Sequence, residues 1–380
     1  MVFGSGTAGL AGNEVKAFGG TKVLVFYGGR SAVKNGVMDT VISSLESMGL
    51  KFRCVGGVQP NPLAEFAQKA VDENKDKGFD FVLGVGGGSV LDTAKAVAHG
   101  LVAPDIPVWD FFCGKKQPQA SLPVGAVLTI AAAGSETSNS AVLTSRTDGI
   151  KRGLRSQYNR PRFAIMDPTV TYSLPSRQTA CGAADIFMHT LDRYFAPDAD
   201  NSITDALAEA LMRSVIKFGK EAIEKPYDYK SRSELMWAGS LSHNGLTGLG
   251  QTEDFAVHQL SHAISAKYGV PHGESLTALW PAWANFVYRD DIPRFAQYAR
   301  NVWGVAVCDD ESAAAAGISE TAEYFQSLGM PLTLTEAAGL PVEDEIDLLT
   351  DLCTYHGTRT IGSFKVLDAG AIKAIYQSAL

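Results

Sequence analysis

The chain has 380 residues, of which 46% are hydrophobic and 19% are charged, and its formal net charge is −8. This length allows two domains of ordinary size, and the composition is typical of a soluble globular protein with a large core. The acidic balance argues against a broad nucleic-acid-binding surface, which would need clustered basic residues.

The first part of the chain is predicted to alternate between β-strands and α-helices. Short apolar, β-rich runs occur at 22–27, 51–55, 79–85, 124–130 and 163–167. Helical periodicity follows the first run through Val37 to Leu50, and it recurs at 63–76 and 89–100. Alternation of this kind predicts an α/β fold with a Rossmann-like, mostly parallel sheet and helices on both faces.

The character of the sequence changes after Pro175. The β-rich runs almost disappear, and helical periodicity dominates as far as residue 380, with breaks at several prolines. We therefore predict two domains, an α/β domain over residues 1–175 and an all-helical domain over residues 176–380.

The third predicted strand ends in a glycine-rich turn, GVGGGSVLDTAK at 84–95. Glycines at the carboxyl end of a parallel strand let the backbone approach a pyrophosphate, and the following helix offers free N–H groups. The turn is not a full GxGxxG fingerprint, because Ser89 stands where the last glycine would be. We predict phosphate binding here, with a tight turn that binds nothing as the alternative.

Asp92 falls in the first turn of the helix that follows this loop. The functional interpretation is a contact with a cofactor near its nicotinamide end. The alternative is a purely electrostatic role, since the helix dipole stabilises a carboxylate in the first turn.

The first predicted strand ends in Tyr27-Gly28-Gly29-Arg30-Ser31, with Lys34 close behind. In nucleotide-binding folds, an acid at this place hydrogen-bonds the ribose 2′-OH of NAD and repels a 2′-phosphate. No acid occurs here, whereas glycines, a hydroxyl and basic residues do. The pattern therefore favours NADP(H), with a solvated turn as the alternative.

Two helical segments carry residues of the types that bind metals. Asp185 and His189 are four residues apart and share a helix face, as do His258 and His262, and His272 follows a Gly-Val-Pro turn. A carboxylate with imidazoles suits a divalent transition metal. Spacing alone does not establish that the segments meet, nor which three histidines are ligands. The remaining histidines are interpreted as structural: His99, His243 and His356.

Together these segments resemble the iron-containing (group III) alcohol dehydrogenases, and among them the branch of NADPH-dependent butanol dehydrogenases and broad-range aldehyde reductases. The resemblance covers nearly the whole chain. Its motifs are YGGRSAVKNGV (27–37), GGVQPNP (56–62), GGGSVLDTAK (86–95), TIAAAGSE (129–136), MDP (166–168), LPSRQTACGAADIFMHTLDRY (174–194) and HQLSHAISAKYGVPHG (258–273). It implies a dehydroquinate synthase-like architecture, a homodimer, and hydride transfer between NADP(H) and primary alcohols or aldehydes.

The resemblance also implies roles for individual residues. Asp185, His189, His258 and His272 would hold one divalent metal, Fe(II) or Zn(II), and His262 would lie beside the ion and handle a proton. The implied cofactor-binding positions are Gly28, Gly29 and Ser31 for the NADP phosphate, Gly87, Gly88, Ser89 and Asp92 for the pyrophosphate and nicotinamide, and Asn61, Thr129 and Lys151. His262 and Asp92 are the implied catalytic residues, with the metal acting as a Lewis acid on the carbonyl group.

Two loops depart from the family pattern. Arg30 replaces the third glycine of a related YGGGS loop, and Ala131 and Ala133 replace a proline and a threonine. The second loop borders the cofactor in the family, so we expect an effect on cofactor binding and on alcohol preference.

Two other functions fit part of the pattern. A lyase of the dehydroquinate synthase type shares the architecture but generally uses a Glu with two histidines on zinc, together with NAD. A metal- and nucleotide-binding protein without turnover would account for the altered TIAAAGSE loop. The intact DxxxH pair with two further histidines favours the dehydrogenase.

The chain shows no feature of a membrane or secreted protein. It has no apolar run of about 18 or more residues, and its N-terminus lacks the basic and apolar stretches of a secretory signal. The five cysteines are scattered and form no CxxC pair. We therefore expect a cytoplasmic protein with reduced thiols and with no membrane or nucleic-acid partner.

Overall fold

The computed structural model describes residues 1–29, 31–198 and 200–380, apart from the side chain of Ser31. Contacts divide the chain into two compact units. Unit 1 comprises Met1–Leu174 and Pro226–Ser240, and unit 2 comprises Pro175–Lys225 and Leu241–Leu380. The predicted boundary after residue 175 assigned residues 226–240 to the helical domain, whereas their contacts group them with unit 1.

The strands all lie in unit 1. In chain order they are β1 (Val2–Phe3), β2 (Lys22–Tyr27), β3 (Lys51–Val55), β4 (Phe81–Gly86), β5 (Val124–Leu128), β6 (Ser140–Ser145), β7 (Ile150–Arg155) and β8 (Phe163–Met166). Six of them form a parallel sheet in the order β1-β8-β5-β4-β2-β3, and β6 and β7 form an antiparallel hairpin.

Helices precede, separate and follow these strands. Their bounds are α1 (Ala11–Ala17), α2 (Ser31–Lys34), α3 (Val37–Ser47), α4 (Ala64–Asn74), α5 (Gly88–Val102), α6 (Val108–Phe112), α7 (Ser176–Tyr194), α8 (Ser202–Glu224), α9 (Tyr229–His243), α10 (Ala256–Tyr268), α11 (His272–Val287), α12 (Ile292–Tyr298), α13 (Asp310–Ser327), α14 (Leu334–Ala338), α15 (Ile346–Cys353) and α16 (Ala369–Ser378). A π-helical turn, Ala299–Trp303, continues α12, and 3₁₀ turns include Leu246–Gly248. No helix in the described ranges is long and apolar enough to cross a bilayer.

The sheet of unit 1 is covered on both faces, as its sequence predicts. Every residue of β4 is buried, which is typical of a parallel strand that lies between two layers of helices. One apolar cluster combines strand residues with residues of α4, α5 and α6, and another combines them with residues of α1 and α3. The predicted α/β fold followed by a helical region is confirmed.

The sequence did not predict three strands. β1 pairs through only two residues with β8, which is too short for a periodic pattern. β6 and β7 mix apolar with small, hydroxyl and basic residues, so neither has the continuous apolar run that identified the other strands.

Unit 2 is helical and is organised around α7. All residues from Gly182 to Tyr194 are buried, so this helix is covered on every side. At its end, the ring of Phe195 stacks on that of Phe295 with centroids 4.2 Å apart. Further aromatic rings lie around the ring of Phe195: Tyr194, Trp280, Trp283, Tyr298 and Phe364.

We expect Phe195→Ala to lower the free energy of unfolding by about 3–5 kcal/mol, because it removes a fully buried ring and leaves a cavity. Phe286→Ala is the control, since that ring is 36% exposed and its loss should cost about 0.5 kcal/mol. Urea denaturation followed by circular dichroism measures both values. Equal losses would contradict the assignment of Phe195 to the centre of this core.

Candidate metal centre and cofactor loops

Asp185 and His189 lie one turn apart on the buried helix α7. Their exposed fractions are 4% and 5%, and burial of an uncompensated carboxylate would be costly. Burial alone would raise the pKa of Asp185. The neighbouring imidazoles of His189 and His272 outweigh this effect and hold that pKa well below its usual range. Asp185 is therefore held in its charged form, which can bind a cation.

Helices α10 and α11 bring two further imidazoles to the same carboxylate. Asp185 Oδ1 lies 3.8 Å from His258 Nε2 and 3.7 Å from His272 Nε2. Ligand atoms of Asp185, His189 and His258 all lie within 4.8 Å of one another. The four predicted ligands are thus close together, and the side chain of His272, 25% exposed, is the most accessible of them.

Two buried atoms of this group are left without hydrogen bonds. Within the described residues, Asp185 Oδ1 receives no hydrogen bond of normal geometry and His258 Nε2 has no hydrogen-bond partner. Buried polar atoms of this kind call for an explanation, since nearly all are satisfied in folded proteins. A carboxylate oxygen and imidazole nitrogens pointing into one buried space fit a divalent metal ion.

Hydrogen bonds from the Nδ1 atoms to oxygen acceptors set the tautomers of two imidazoles. His189 Nδ1 donates to the carbonyl oxygen of Asp185 at 3.0 Å, and His258 Nδ1 bonds Asp192 Oδ2 at 2.6 Å. Each bond leaves Nε2 with its lone pair, which is the form that binds a metal. Burial also lowers the pKa of His189 and so favours its neutral form.

Asp192 contacts a predicted ligand and was not among the residues predicted from the sequence. Its side chain is fully buried, and it follows Asp185 by seven residues and His189 by three, so all three share one face of α7. Burial alone would lower the pKa of His258, but the Asp192 carboxylate outweighs burial and raises it. A carboxylate behind a ligand imidazole orients the ring and increases its basicity.

Two more histidines lie next to the ligand group. The ring of His262 is 6.2 Å from that of His272, centroid to centroid, and the tight group of Asp185, His189 and His258 includes neither of these two histidines. Its predicted role beside the ion stays a prediction. The ring of His243, interpreted from the sequence as structural, packs on the ring of His189 with centroids 4.2 Å apart.

Gly273 lets the start of α11 pack closely against α7. A Cβ on Gly273, the residue after His272, would lie 2.4 Å from the carbonyl oxygen of Cys181, which is one turn before Asp185. The next residue, Glu274, forms a two-pronged ion pair with Arg177 of α7. The start of α11 is therefore fixed against the helix that carries the other ligands.

In unit 1, the two predicted glycine turns follow neighbouring strands. β2 pairs with β4, and Tyr27 is in register with Val85, so the turns after both strands lie at the same carboxyl edge of the sheet. This is where open parallel sheets bind ligands. Arg30 lies outside the described residues, and so does the side chain of Ser31.

The glycine turn at the start of α5 packs closely against the loop that contains Ile130 and Ala133. A Cβ on Gly87 would lie 2.3 Å from Ile130 Cγ2, and one on Gly88 would lie 3.1 Å from Ala133 Cβ. Ser89 is half-buried beside them, and the N–H of Thr129 bonds the carbonyl oxygen of Gly86. Ala133, which replaces the threonine of the family pattern, therefore lies directly against the glycine loop.

Asp92 joins α5 to the loop and to the hairpin. Its Oδ1 accepts from Ser135 Oγ at 2.6 Å, and its Oδ2 accepts from the N–H of Val142 at 2.9 Å. The placement of Asp92 in the first turn is wrong, because α5 begins at Gly88 and its first turn contains no acid. Burial raises the pKa of Asp92. Its predicted contact with a cofactor stays a prediction.

Other predicted cofactor residues of unit 1 contact one another or a neighbouring loop. Lys151 Nζ donates to Asn61 Oδ1 at 2.9 Å, and Asn61 adopts a left-handed backbone conformation with φ 52°. The carbonyl oxygen of Gly28 accepts from Gly57 N, and Gly29 has no atom within 4 Å of an added Cβ.

We expect Asp192→Asn to weaken divalent metal binding about 10–100-fold, because an amide cannot raise the basicity of His258 as a carboxylate does. Asp309→Asn is a matched control, since Asp309 caps α13 and asparagine is an equally good cap. Competition with a chromophoric chelator measures both affinities. An unchanged affinity for the Asp192 variant would contradict this role.

Comparisons with known proteins agree on one family. The profile described as iron-containing alcohol dehydrogenase matches residues 1–168, and that of the C-terminal part of the Fe-containing alcohol dehydrogenase family matches residues 179–380. NADH-dependent butanol dehydrogenase A of Clostridium acetobutylicum is 36% identical over 381 residues, which span 100% of this chain and 97% of that protein.

Two further relatives cover the same length. NADPH-dependent aldehyde reductase YqhD of Escherichia coli is 35% identical over 100% of this chain and 97% of its own. The crystal structure of NADH-dependent butanol dehydrogenase A from Thermotoga maritima superimposes with a TM-score of 0.95 at 36% identity, and the match covers 100% of this chain and 96% of that one. The chain therefore belongs to the iron-containing alcohol dehydrogenase family.

Proposed function

We propose that this chain is an alcohol dehydrogenase and aldehyde reductase that transfers hydride between a nicotinamide dinucleotide and small primary alcohols or aldehydes. The observation that carries the proposal is the buried group of Asp185, His189 and His258, with His272 beside it. Membership of the family and relatives named as butanol dehydrogenases and an aldehyde reductase support it. They do not favour a lyase of the dehydroquinate synthase type.

The four predicted ligands would hold one divalent ion, Fe(II) or Zn(II). Bound there, such an ion supplies Lewis-acid chemistry, which polarises a carbonyl group and lowers the pKa of an alcohol. Asp185 provides the negative charge of the site, while Asp192 orients the ring of His258. His272, partly exposed, borders the accessible side of the group.

We assign the proton-handling role to His262. Its side chain is half-buried, and its ring lies near that of His272. An imidazole in this position can donate a proton to the product of reduction and accept one in the reverse direction.

NADP(H) is the cofactor that we propose for unit 1. The turn after β2 contains no acid that would repel a 2′-phosphate, and its sequence includes Ser31 and Lys34. The relatives are divided, since the butanol dehydrogenases are named as NADH-dependent and the aldehyde reductase as NADPH-dependent. We further expect the protein to be cytoplasmic and to form a homodimer. The location and the oligomeric state stay predictions.

We expect His272→Ala to reduce bound metal to background and to abolish NADPH oxidation with butanal, with the far-UV circular dichroism spectrum unchanged. The substitution removes one of the four proposed ligands, so the metal should no longer bind. The fold should persist, because His272 is the most exposed of the four. His356→Ala is the control, because the side chain of His356 is 58% exposed and pairs with Asp351 at the surface. A fully active variant without metal would refute the assignment.

We expect kcat/KM with NADPH to exceed that with NADH by at least about tenfold, a preference equivalent to about 1.4 kcal/mol of transition-state stabilisation. Initial rates with butanal and each cofactor, in protein loaded with Fe(II) or Zn(II), measure this ratio. A preference for NADH would overturn the NADP(H) proposal and leave the reaction class unchanged. Tight cofactor binding without turnover of any aldehyde would instead favour a non-catalytic binding protein.

A further inference from the structure

A buried arginine connects the ligand helix to the end of α9. The Arg193 side chain is 3% exposed, and its Nη1 donates to the carbonyl oxygens of His189 at 2.8 Å and Ser242 at 2.9 Å. Its Nε donates to Glu253 Oε1 at 2.8 Å, so the buried charge is paired. One side chain thus ties the backbone of a proposed metal ligand to the backbone of the residue before His243.

The same guanidinium holds the ring of His243 and a neighbouring ring. Arg193 Nη2 lies 3.4 Å from His243 Nδ1, and the guanidinium stacks over the ring of Phe255 with 4.6 Å to its centroid. Phe255 immediately precedes α10 in a left-handed conformation with φ 55°, which is uncommon for a bulky residue. Its ring lies 6.1 Å from that of His243 and 6.2 Å from that of His189. His243 is therefore held in place by several groups.

The ring of His243 meets the ring of His189 edge to face. The ring planes cross at 83° and the centroids are 4.2 Å apart, a closer contact than most aromatic pairs make. The χ2 torsion of a histidine has a broad, roughly two-fold preference, so the ring needs external contacts to hold one orientation. The bond from His189 Nδ1 to the carbonyl oxygen of Asp185 restrains one edge of the ring, and His243 restrains it from another side.

We propose that His243 is a positioning residue, whose ring, anchored by Arg193, fixes the ring plane of His189 so that Nε2 stays directed at the metal. This inference rests on the proposed role of His189 as a ligand. It assigns to His243 a function toward the metal that its position in the sequence does not indicate, since it lies 54 residues beyond His189 and shares no motif with it.

Co(II) titration of the apoprotein tests the proposal, because the visible d–d spectrum reports the geometry of the ligands and requires no turnover. We expect His243→Ala to weaken Co(II) binding about tenfold and to change the spectrum, as loss of an orienting neighbour does at other metal sites. His243→Gln, which keeps bulk and polarity without a ring, should show the same change if the alanine variant does not fold.

His243→Phe provides the rescue. It restores a planar ring, so we expect Co(II) affinity within about threefold of the original and a similar spectrum. Leu246→Ala is the matched control in the adjoining turn, where the side chain is 46% exposed, and it should leave both affinity and spectrum unchanged.

The outcomes separate this inference from the proposed function. Asp185→Ala should abolish Co(II) binding, and if it binds Co(II) normally, the proposed metal centre is wrong and this inference falls with it. If Asp185→Ala abolishes binding but the ring-free variants of His243 bind Co(II) with the original affinity and spectrum, only the positioning role is refuted. A His243→Phe variant as weak as His243→Ala would also refute it, because a ring would then not be what matters.

Discussion

The burial of one carboxylate, that of Asp185, is the constraint on which unit 2 depends. A negative charge at 4% exposure in the middle of a helix is unstable unless positive charge or proton donors surround it. Three imidazoles from three helices approach that carboxylate. The contacts that hold these helices together therefore also bring together the residues of the proposed metal centre.

Around this carboxylate, two of the proposed ligand rings are supported by groups that are not themselves proposed ligand atoms. Asp192 orients His258, and a backbone carbonyl orients His189. Arg193 then links the ligand helix to the end of α9. Such supporting groups decide how well a metal site keeps its geometry, because ligands alone leave the rings free to turn. The ion would therefore bind to a prepared arrangement of atoms.

Local periodicity accounts for the predicted strands and for the pairing of Asp185 with His189, whereas the set of four ligands was implied by the family resemblance. The apolar runs of β2 and β4 and the four-residue spacing of Asp185 and His189 are properties of short segments, and the structure retains them. Contacts between distant segments carry no such pattern. His243 has no neighbour in sequence that indicates metal chemistry, and its role depends on where α9 ends. Asp192 was detectable, since it continues the face of Asp185 and His189, but a buried aspartate next to an arginine also fits a structural ion pair.

The close contact of Gly273 with Cys181 has a consequence for how this protein can change. The residue after the last ligand meets backbone atoms of α7, which cannot rotate out of the way. A side chain at this position would have to push the start of α11 away from α7, and His272 would move with it. The exposed residues of α11 are free of this constraint, whereas the spacing between its first turn and α7 is fixed together with the position of His272.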